Sequence, residues 1–136
     1  MSFRDKLNIR KNKNKNTHIY ATYARAREFT REVSKVLEKE IEKKLIDGIR
    51  KLGGRAYKFV SPGNNGVPDR IVIMPGGRII FCELKTTTGR VSKLQKMQTT
   101  ILSRLGCDVR VLYGEDGVRA FLEGLIAEKM EERYAD

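Results

Sequence analysis

The twenty residues from 66 to 85, GVPDRIVIMPGGRIIFCELK, constrain the fold more than any other part of the sequence. Two apolar runs rich in β-branched residues flank a proline-glycine-glycine loop, and this pattern predicts an antiparallel hairpin. Proline lacks an amide donor, so the loop, and not a paired strand, is its expected place. The hairpin nevertheless carries three ionisable residues, one before its first strand and two at the end of its second: Asp69, Glu83 and Lys85.

Helical spacing of apolar residues predicts three helices, over Thr30–Leu52, over Ser92–Leu105 and from Val118 onward. The apolar stripe of the first helix is Val33, Leu37, Ile41, Leu45 and Ile49, and that of the second is Leu94, Met97, Ile101 and Leu105. Four strands fill the remaining segments and give the order α-β-β-β-α-β-α. The last β-α-β unit favours a parallel strand pair, so we expect an α/β domain with a mixed sheet whose two faces are covered by the first and second helices.

The positive charge of the chain is concentrated at its start. The formal net charge is +11, and residues 1–31 contribute +7 of it, from nine Lys and Arg against two acids. The sequence therefore predicts a basic, flexible arm over residues 1–29, disordered at least to Thr17, followed by one domain over residues 30–136. Three lysines of this arm alternate with asparagine: Lys11, Lys13 and Lys15. We expect them to contact nucleic-acid phosphates. The alternative is that the arm only increases solubility.

Three further features limit the class of protein. No run of 18 or more apolar residues is present to span a bilayer, and the first residues lack the apolar stretch of a signal peptide, so an intracellular protein is expected. Cys82 and Cys107 lie in apolar segments without metal-ligand spacing and are interpreted as small hydrophobic residues. His18 is the single histidine and cannot build a histidine-based metal site alone.

Hairpin geometry brings two of the acids together. A three-residue loop pairs Met74 with Arg78, and the same register puts Asp69 opposite Glu83. Their Cβ atoms would then lie within about 5 Å, where like charges repel. Such a pair of carboxylates suits a hard cation, Mg²⁺ or Mn²⁺. Lys85 shares the face of Glu83, where it could orient or deprotonate a water or stabilise charge on a phosphate.

A purely structural explanation is the alternative for the same residues. Glu83 and Lys85 could form an ion pair at the strand end, while Asp69 serves the turn after Pro68. Each residue taken singly favours that explanation. Their joint arrangement, with one acid before the first strand and acid-x-lysine ending the second, favours the metal site.

The same residues carry a family resemblance. The Pro68-Asp69 pair followed by Glu83-Leu84-Lys85 resembles the PD-(D/E)-x-K nuclease superfamily. The longer stretch KFVSPGNNGVPDRIVIMPGGRIIFCELKTTTGRVSKLQ is similar to the VRR-NUC nuclease domain, over about Glu38–Tyr113. The resemblance implies a restriction-endonuclease-like fold, a mixed β-sheet flanked by helices. It also implies that Asp69 and Glu83 are metal ligands and that Lys85 is the catalytic lysine.

The resemblance further implies an acid on the first helix as a metal ligand. The candidates are Glu38, Glu40 and Glu42, of which the first and last share a helix face. Glu42 is favoured because it stands eleven residues before Gly53, the distance found in related archaeal Holliday-junction resolvases, and Glu38 is the alternate. A solvated helix face rich in Glu and Lys is the competing explanation.

Four residues near the hairpin complete the set of candidates. Ser92 and Gln95 have the spacing of a capping box at the start of the second helix. The resemblance matches Gln95 to a glutamine that helps to shape the active site of the family, and both roles can coexist. Lys58 and Ser61 precede the glycine-rich loop and could contact phosphate.

Together these observations predict a Mg²⁺- or Mn²⁺-dependent DNA endonuclease. The resemblance to stand-alone members of the family implies a homodimer that cuts branched DNA such as Holliday junctions. We expect this protein in the cytoplasm of a bacterium or of a phage-infected cell. The prediction includes DNA and a second copy of the chain as partners and no membrane. The alternatives are a catalytically silent nucleic-acid-binding module and a flap-type or restriction-type nuclease.

Overall fold

The computed structural model describes residues 1–135, and for residues 6–14 it describes the backbone but not the side chains. The elements follow the predicted order: α1 (Phe3–Lys51), β1 (Arg55–Lys58), β2 (Arg70–Ile73), β3 (Ile79–Lys85), α2 (Lys93–Arg104), β4 (Asp108–Tyr113) and α3 (Gly114–Tyr134). The chain divides into two compact units, residues 1–36 and residues 37–136.

The four strands form one mixed sheet in the order β1-β2-β3-β4. Strand β2 pairs antiparallel with both β1 and β3, whereas β3 and β4 are parallel. The parallel pair is joined through α2, as the β-α-β pattern predicts. The α/β class, the mixed sheet and its flanking helices are therefore confirmed.

The hairpin between β2 and β3 has the predicted three-residue loop. The amide of Met74 donates to the carbonyl of Arg78 at 2.8 Å, and the amide of Gly77 donates back to the carbonyl of Met74 at 3.0 Å. Gly76 and Gly77 adopt φ values of +88° and +85°, which side-chain-bearing residues rarely tolerate. These two glycines fix the loop length and thereby the register of every pair below it.

The hydrophobic core lies between one sheet face and two helices. Helices α1 and α3 bury apolar side chains against residues of β2, β3 and β4; the core is Ile41, Leu45, Ile49, Val72, Ile80, Cys82, Leu112, Val118, Phe121 and Leu125. The expectation that Cys82 is a buried apolar residue is confirmed, and both cysteines are free thiols. Helix α1 thus covers one sheet face together with α3.

Helix α2 differs from its predicted orientation. The stripe expected to be buried is 45% to 74% exposed: Leu94, Met97, Ile101 and Leu105. The side with lower exposure carries Gln95, Gln98, Thr99 and Leu102. The reason is chemical: the side chain of Gln95 binds the buried carboxylate of Glu83, so the helix turns a polar residue toward the sheet.

Helix α1 begins at Phe3, 27 residues before the predicted start at Thr30. The prediction of disorder through Thr17 differs from this helical backbone. Lys, Arg, Glu and Ala are good helix formers, and each residue added to an existing helix gains a hydrogen bond without a new nucleation cost. The first half of the predicted stripe is also exposed, because Val33 and Leu37 are 41% and 45% accessible and burial begins at Ile41.

Candidate active site

The strand register places Asp69 opposite Glu83. Strands β2 and β3 pair Arg70 with Cys82, and one further step in the same register brings the two acids together. Side chains alternate along a strand, so Glu83 shares its face with Lys85 and faces away from Cys82 in the core. The register predicted from the loop length is therefore confirmed.

Asp69 is held at both its backbone and its side chain. Its carboxylate oxygen Oδ2 accepts a hydrogen bond from the backbone amide of Leu84 at 2.8 Å. Its carbonyl accepts from the amide of Phe59 at 2.8 Å, and the preceding Pro68 is fully buried. These contacts fix the Asp69 carboxylate beside the end of β3.

Glu83 is a buried acid, with only 1% of its surface exposed. Its Oε1 accepts a hydrogen bond from Nε2 of Gln95 at 2.7 Å and lies 3.6 Å from Nζ of Lys85. Burial and, to a smaller extent, the nearby negative charge of Asp69 together raise the pKa of Glu83 to about 7, although Lys85 acts in the opposite direction. A cation bound beside the Glu83 carboxylate would favour its ionised form.

The raised pKa of Glu83 makes a prediction for the metal-free protein. Because the folded state holds the proton up to about pH 7 and the unfolded state releases it near 4.5, this contribution to stability is complete below pH 4.5 and is lost as the pH rises to about 7. The loss is at most about 3 kcal/mol, and Glu83→Gln should remove it. Urea unfolding in EDTA across this pH range measures it. Equal pH dependence in wild type and variant would contradict the assignment.

Gln95 completes the predicted capping box and also contacts Glu83, whereas its role in an active site stays a prediction. Its amide N–H donates to Oγ of Ser92 at 3.2 Å, and its Oε1 accepts from the amide of Ser92 at 2.9 Å, which completes the capping box of α2. Its Nε2 remains free to donate to Glu83. The start of α2 is therefore bonded directly to the acid of β3.

The loop that delivers Asp69 packs against the same helix start. Gly66 adopts a φ of +90°, and a Cβ at this position would lie 2.6 Å from the carbonyl carbon of Leu94. No side chain fits at that distance, so glycine permits the close approach. The loop before β2 and the first turn of α2 are thus in backbone contact beside the acid pair.

A cavity of about 330 Å³ opens at these residues. Its lining combines acidic, basic and amide side chains with three apolar ones: Glu38, Ile41, Glu42, Lys58, Phe59, Asp69, Glu83, Leu84, Lys85 and Gln95. All the predicted catalytic residues lie in this one lining, and so does Lys58. Ser61 does not line it; its hydroxyl accepts a hydrogen bond from Nδ2 of Asn64 in the following turn at 3.0 Å.

The two candidate acids of the first helix have different environments. Oε1 of Glu42 forms an ion pair with Nη2 of Arg70. Glu38, one helical turn earlier, lines the cavity and has no hydrogen bond or ion pair to any described residue. Both acids are therefore at the cavity, and only Glu42 is neutralised by a neighbour.

The three arm lysines belong to the first compact unit. Lys15 is exposed. The side chains of Lys11 and Lys13 lie outside the described residues. Their proposed contact with nucleic acid stays a prediction.

Comparison with known families identifies the domain. The family model described as the VRR-NUC domain matches residues 4–116, which is most of the chain. The chain belongs to the VRR-NUC domain family. This membership confirms the resemblance drawn from the hairpin motif.

Two proteins similar to this VRR-NUC domain align with it over most of their own length. "Putative nuclease p44" of Acyrthosiphon pisum secondary endosymbiont phage 1 is 47% identical over 81 residues, which are 60% of this chain and 87% of that protein. A solved structure described as a VRR_NUC domain is 28% identical, with a TM-score of 0.60, over 63% of this chain and 94% of that one. Sequence and fold thus agree on the family.

The VRR-NUC family implies a divalent metal, and the cavity offers a suitable but incomplete donor set. Asp69 and Glu83 supply carboxylate oxygens, which Mg²⁺ and Mn²⁺ prefer, from two facing strand positions at the cavity. Within residues 1–135, no three His, Cys, Asp or Glu side chains converge to hold an ion. A third carboxylate from α1 would have to move toward the pair.

Arg70 is the residue of this VRR-NUC domain that sequence reasoning missed. It occupies a core-side position of β2, paired with the buried Cys82, although its side chain is charged. Burying a charge is costly unless a partner neutralises it. A charged residue on the core face of a predicted strand was the sequence signal that could have identified Arg70. Its neutralising partner is Glu42, 28 residues away in the chain.

Proposed function

We propose that this protein is a metal-dependent endonuclease that hydrolyses DNA phosphodiester bonds. The observation that carries the proposal is the opposition of Asp69 and Glu83 beside Lys85 in a single open cavity. Membership of a nuclease domain family and the phage relative named as a nuclease support the same reaction. A silent binding module would have no need of this arrangement.

Each residue has a distinct role in the proposed reaction. A divalent ion held by Asp69 and Glu83 would neutralise phosphate charge and acidify a water molecule. Gln95 fixes the carboxylate of Glu83 through its Nε2 hydrogen bond. Lys85, with its Nζ beside Glu83, donates to the charge that develops on the phosphate or orients the attacking water. Lys58, on the same cavity wall, contacts a neighbouring phosphate.

The proposed substrate is branched DNA, with the four-way Holliday junction as the first choice. The resemblance to stand-alone members of the family favours this substrate over a restriction site, which usually requires an added recognition element. A flap-type nuclease is the second choice.

One experiment separates these functions. Labelled duplex, flap, single-stranded and four-way-junction DNA are incubated with the protein in EDTA, Mg²⁺ or Mn²⁺, and the products are sized on denaturing gels. We expect cleavage only with the metals and preferentially at the junction. Binding without cleavage under every condition would establish the silent module instead.

The proposed assembly is a homodimer. Two active sites related by a two-fold axis would match the two-fold symmetry of a four-way junction. We expect a dimer in sedimentation at micromolar concentration and paired, symmetric nicks across the junction. A strict monomer that cuts only flaps would indicate a flap-type nuclease instead.

Deletion of residues 1–17 tests the basic arm. We expect weaker binding to all DNA shapes and a flatter salt dependence, because phosphate contacts release counterions and carry little sequence information. The preference among DNA structures should survive. Fluorescence anisotropy at several salt concentrations measures both quantities. Unchanged affinity and salt slope would leave the arm as a solubilising segment.

The proposed place of action is the cytoplasm of a bacterial or phage-infected cell, where branched DNA is the substrate. The phage relative is consistent with this setting. Across the described residues, no helix has the length and apolar character needed to cross a membrane.

A further inference from the structure

Arg70 is a charged residue in an apolar setting directly behind the candidate site. It follows Asp69 in the chain, but strand alternation points the two side chains to opposite faces of the sheet. Its side chain is only 12% exposed, and it does not line the cavity. A guanidinium so placed needs a partner of opposite charge.

The contacts of Arg70 reach from the sheet to the first helix. Nη2 donates to Oε1 of Glu42, and Nη1 donates to the carbonyl of Ala56 at 3.3 Å. The remaining buried nitrogen, Nε, has no acceptor among the described residues. Glu42 is thus the carboxylate that neutralises this guanidinium.

This pairing makes the two acids of α1 chemically unequal. Glu38 and Glu42 line the same cavity one helical turn apart. Glu38 is exposed and has no bonding partner among the described residues, so its carboxylate is available to a cation. Glu42 could bind a cation only by giving up its ion pair with Arg70, which would leave the charge of the Arg70 guanidinium without a partner.

Building on the proposed function, we propose that Arg70 is a positioning residue that neutralises Glu42 and withholds it from the cation, so that Glu38 completes the ligand set with Asp69 and Glu83. Without Arg70, Glu42 would be a second carboxylate of α1 at the cavity with no cationic partner, beside Glu38. The ion pair therefore limits how many acids compete for the ion. It also reverses the choice between Glu42 and Glu38 that sequence spacing favours.

Binding of Mn²⁺ alone, without DNA, tests the proposal. The free ion is measured by electron paramagnetic resonance during titration of five proteins: wild type, Glu38→Gln, Glu42→Gln, Arg70→Gln and the double variant Glu42→Gln with Arg70→Gln. Thermal unfolding in EDTA checks that each variant is folded. The double variant is the matched control, because it removes both members of the ion pair together.

The expected affinities follow from charge. Glu38→Gln should weaken Mn²⁺ binding at least about 10-fold, because a ligand is lost. Glu42→Gln should weaken it only about 2- to 4-fold, through the uncompensated charge of Arg70. Arg70→Gln should tighten binding, because a cation is removed and Glu42 is released. The double variant should bind within about twofold of wild type, because the two charges leave together.

Two results would overturn the proposal, and each has a distinct meaning. If Glu42→Gln weakens Mn²⁺ binding as much as Glu38→Gln does, or if the double variant stays as weak as Glu38→Gln, Glu42 is a ligand and the inference about Arg70 fails. The comparison of the two glutamate variants decides this even if the Arg70 variants do not fold. If wild type binds no Mn²⁺ at millimolar concentration, the metal-dependent function itself fails.

Discussion

Replacing Lys85 with alanine is expected to lower the rate of DNA cleavage by about 10²- to 10⁴-fold, the range of a group that acts in the transition state. Binding of Mn²⁺ and of DNA should persist, because the proposed ligands are Asp69 and Glu83. Loss of Lys85 removes the positive charge that lowers the pKa of Glu83. Single-turnover cleavage at saturating enzyme separates this chemical effect from binding.

The matched control for this substitution is Lys129→Ala, which removes an exposed lysine of α3 outside the active-site cavity. It should leave the single-turnover rate close to that of wild type, because surface substitutions rarely change stability and this residue is absent from the cavity lining. If Lys85→Ala cleaves as fast as this control, Lys85 is only the ion-pair partner of Glu83. The structural explanation of the hairpin charges would then be preferred.

Asp69→Asn should separate stability from function. Opposed like charges cost about 0.2 to 1 kcal/mol, so the neutral amide should leave the metal-free protein equally stable or slightly more stable. Its side-chain oxygen can still accept the hydrogen bond from Leu84. In Mg²⁺ the order should invert, because wild type gains stability from the bound ion and the variant gains little. Cleavage by the variant should fall below detection.

The control for this second prediction is Asp69→Ala, which has no acceptor for the Leu84 amide. An unsatisfied buried amide costs about 1 to 3 kcal/mol, and a partly buried one such as that of Leu84 costs less, so the alanine variant should be less stable than the asparagine variant in EDTA. Thermal unfolding with and without Mg²⁺ measures all three proteins. Destabilisation of the metal-free protein by more than about 2 kcal/mol in Asp69→Asn would contradict the metal-site account.

The predictions that succeeded depend on local geometry. A proline-glycine-glycine loop has few conformations, so its length determined the register and the opposition of Asp69 and Glu83. The capping box of Gln95 also follows from residues three apart. In both cases the deciding contacts are close in sequence, and the chain has little freedom to choose others.

The predictions that differed depend on contacts distant in sequence. Hydrophobic spacing marks a helix but does not say which of its faces meets the sheet, and α2 turns Gln95 to Glu83 while leaving Ile101 exposed. The pairing of Arg70 with Glu42 joins residues 28 positions apart, which no local pattern specifies. The start of α1 was missed because propagation of a helix requires no apolar stripe.

The double bonding of Gln95 restricts which amino acid can occupy the first turn of α2. A capping box accepts glutamate as readily as glutamine at this position. Here the amide oxygen meets Ser92 and the amide nitrogen meets Glu83, so glutamate would satisfy the helix but set a further carboxylate against the buried acid. Asparagine is one methylene shorter and could not span both partners. A redesign of this helix for stability would therefore have to treat position 95 as part of the candidate active site.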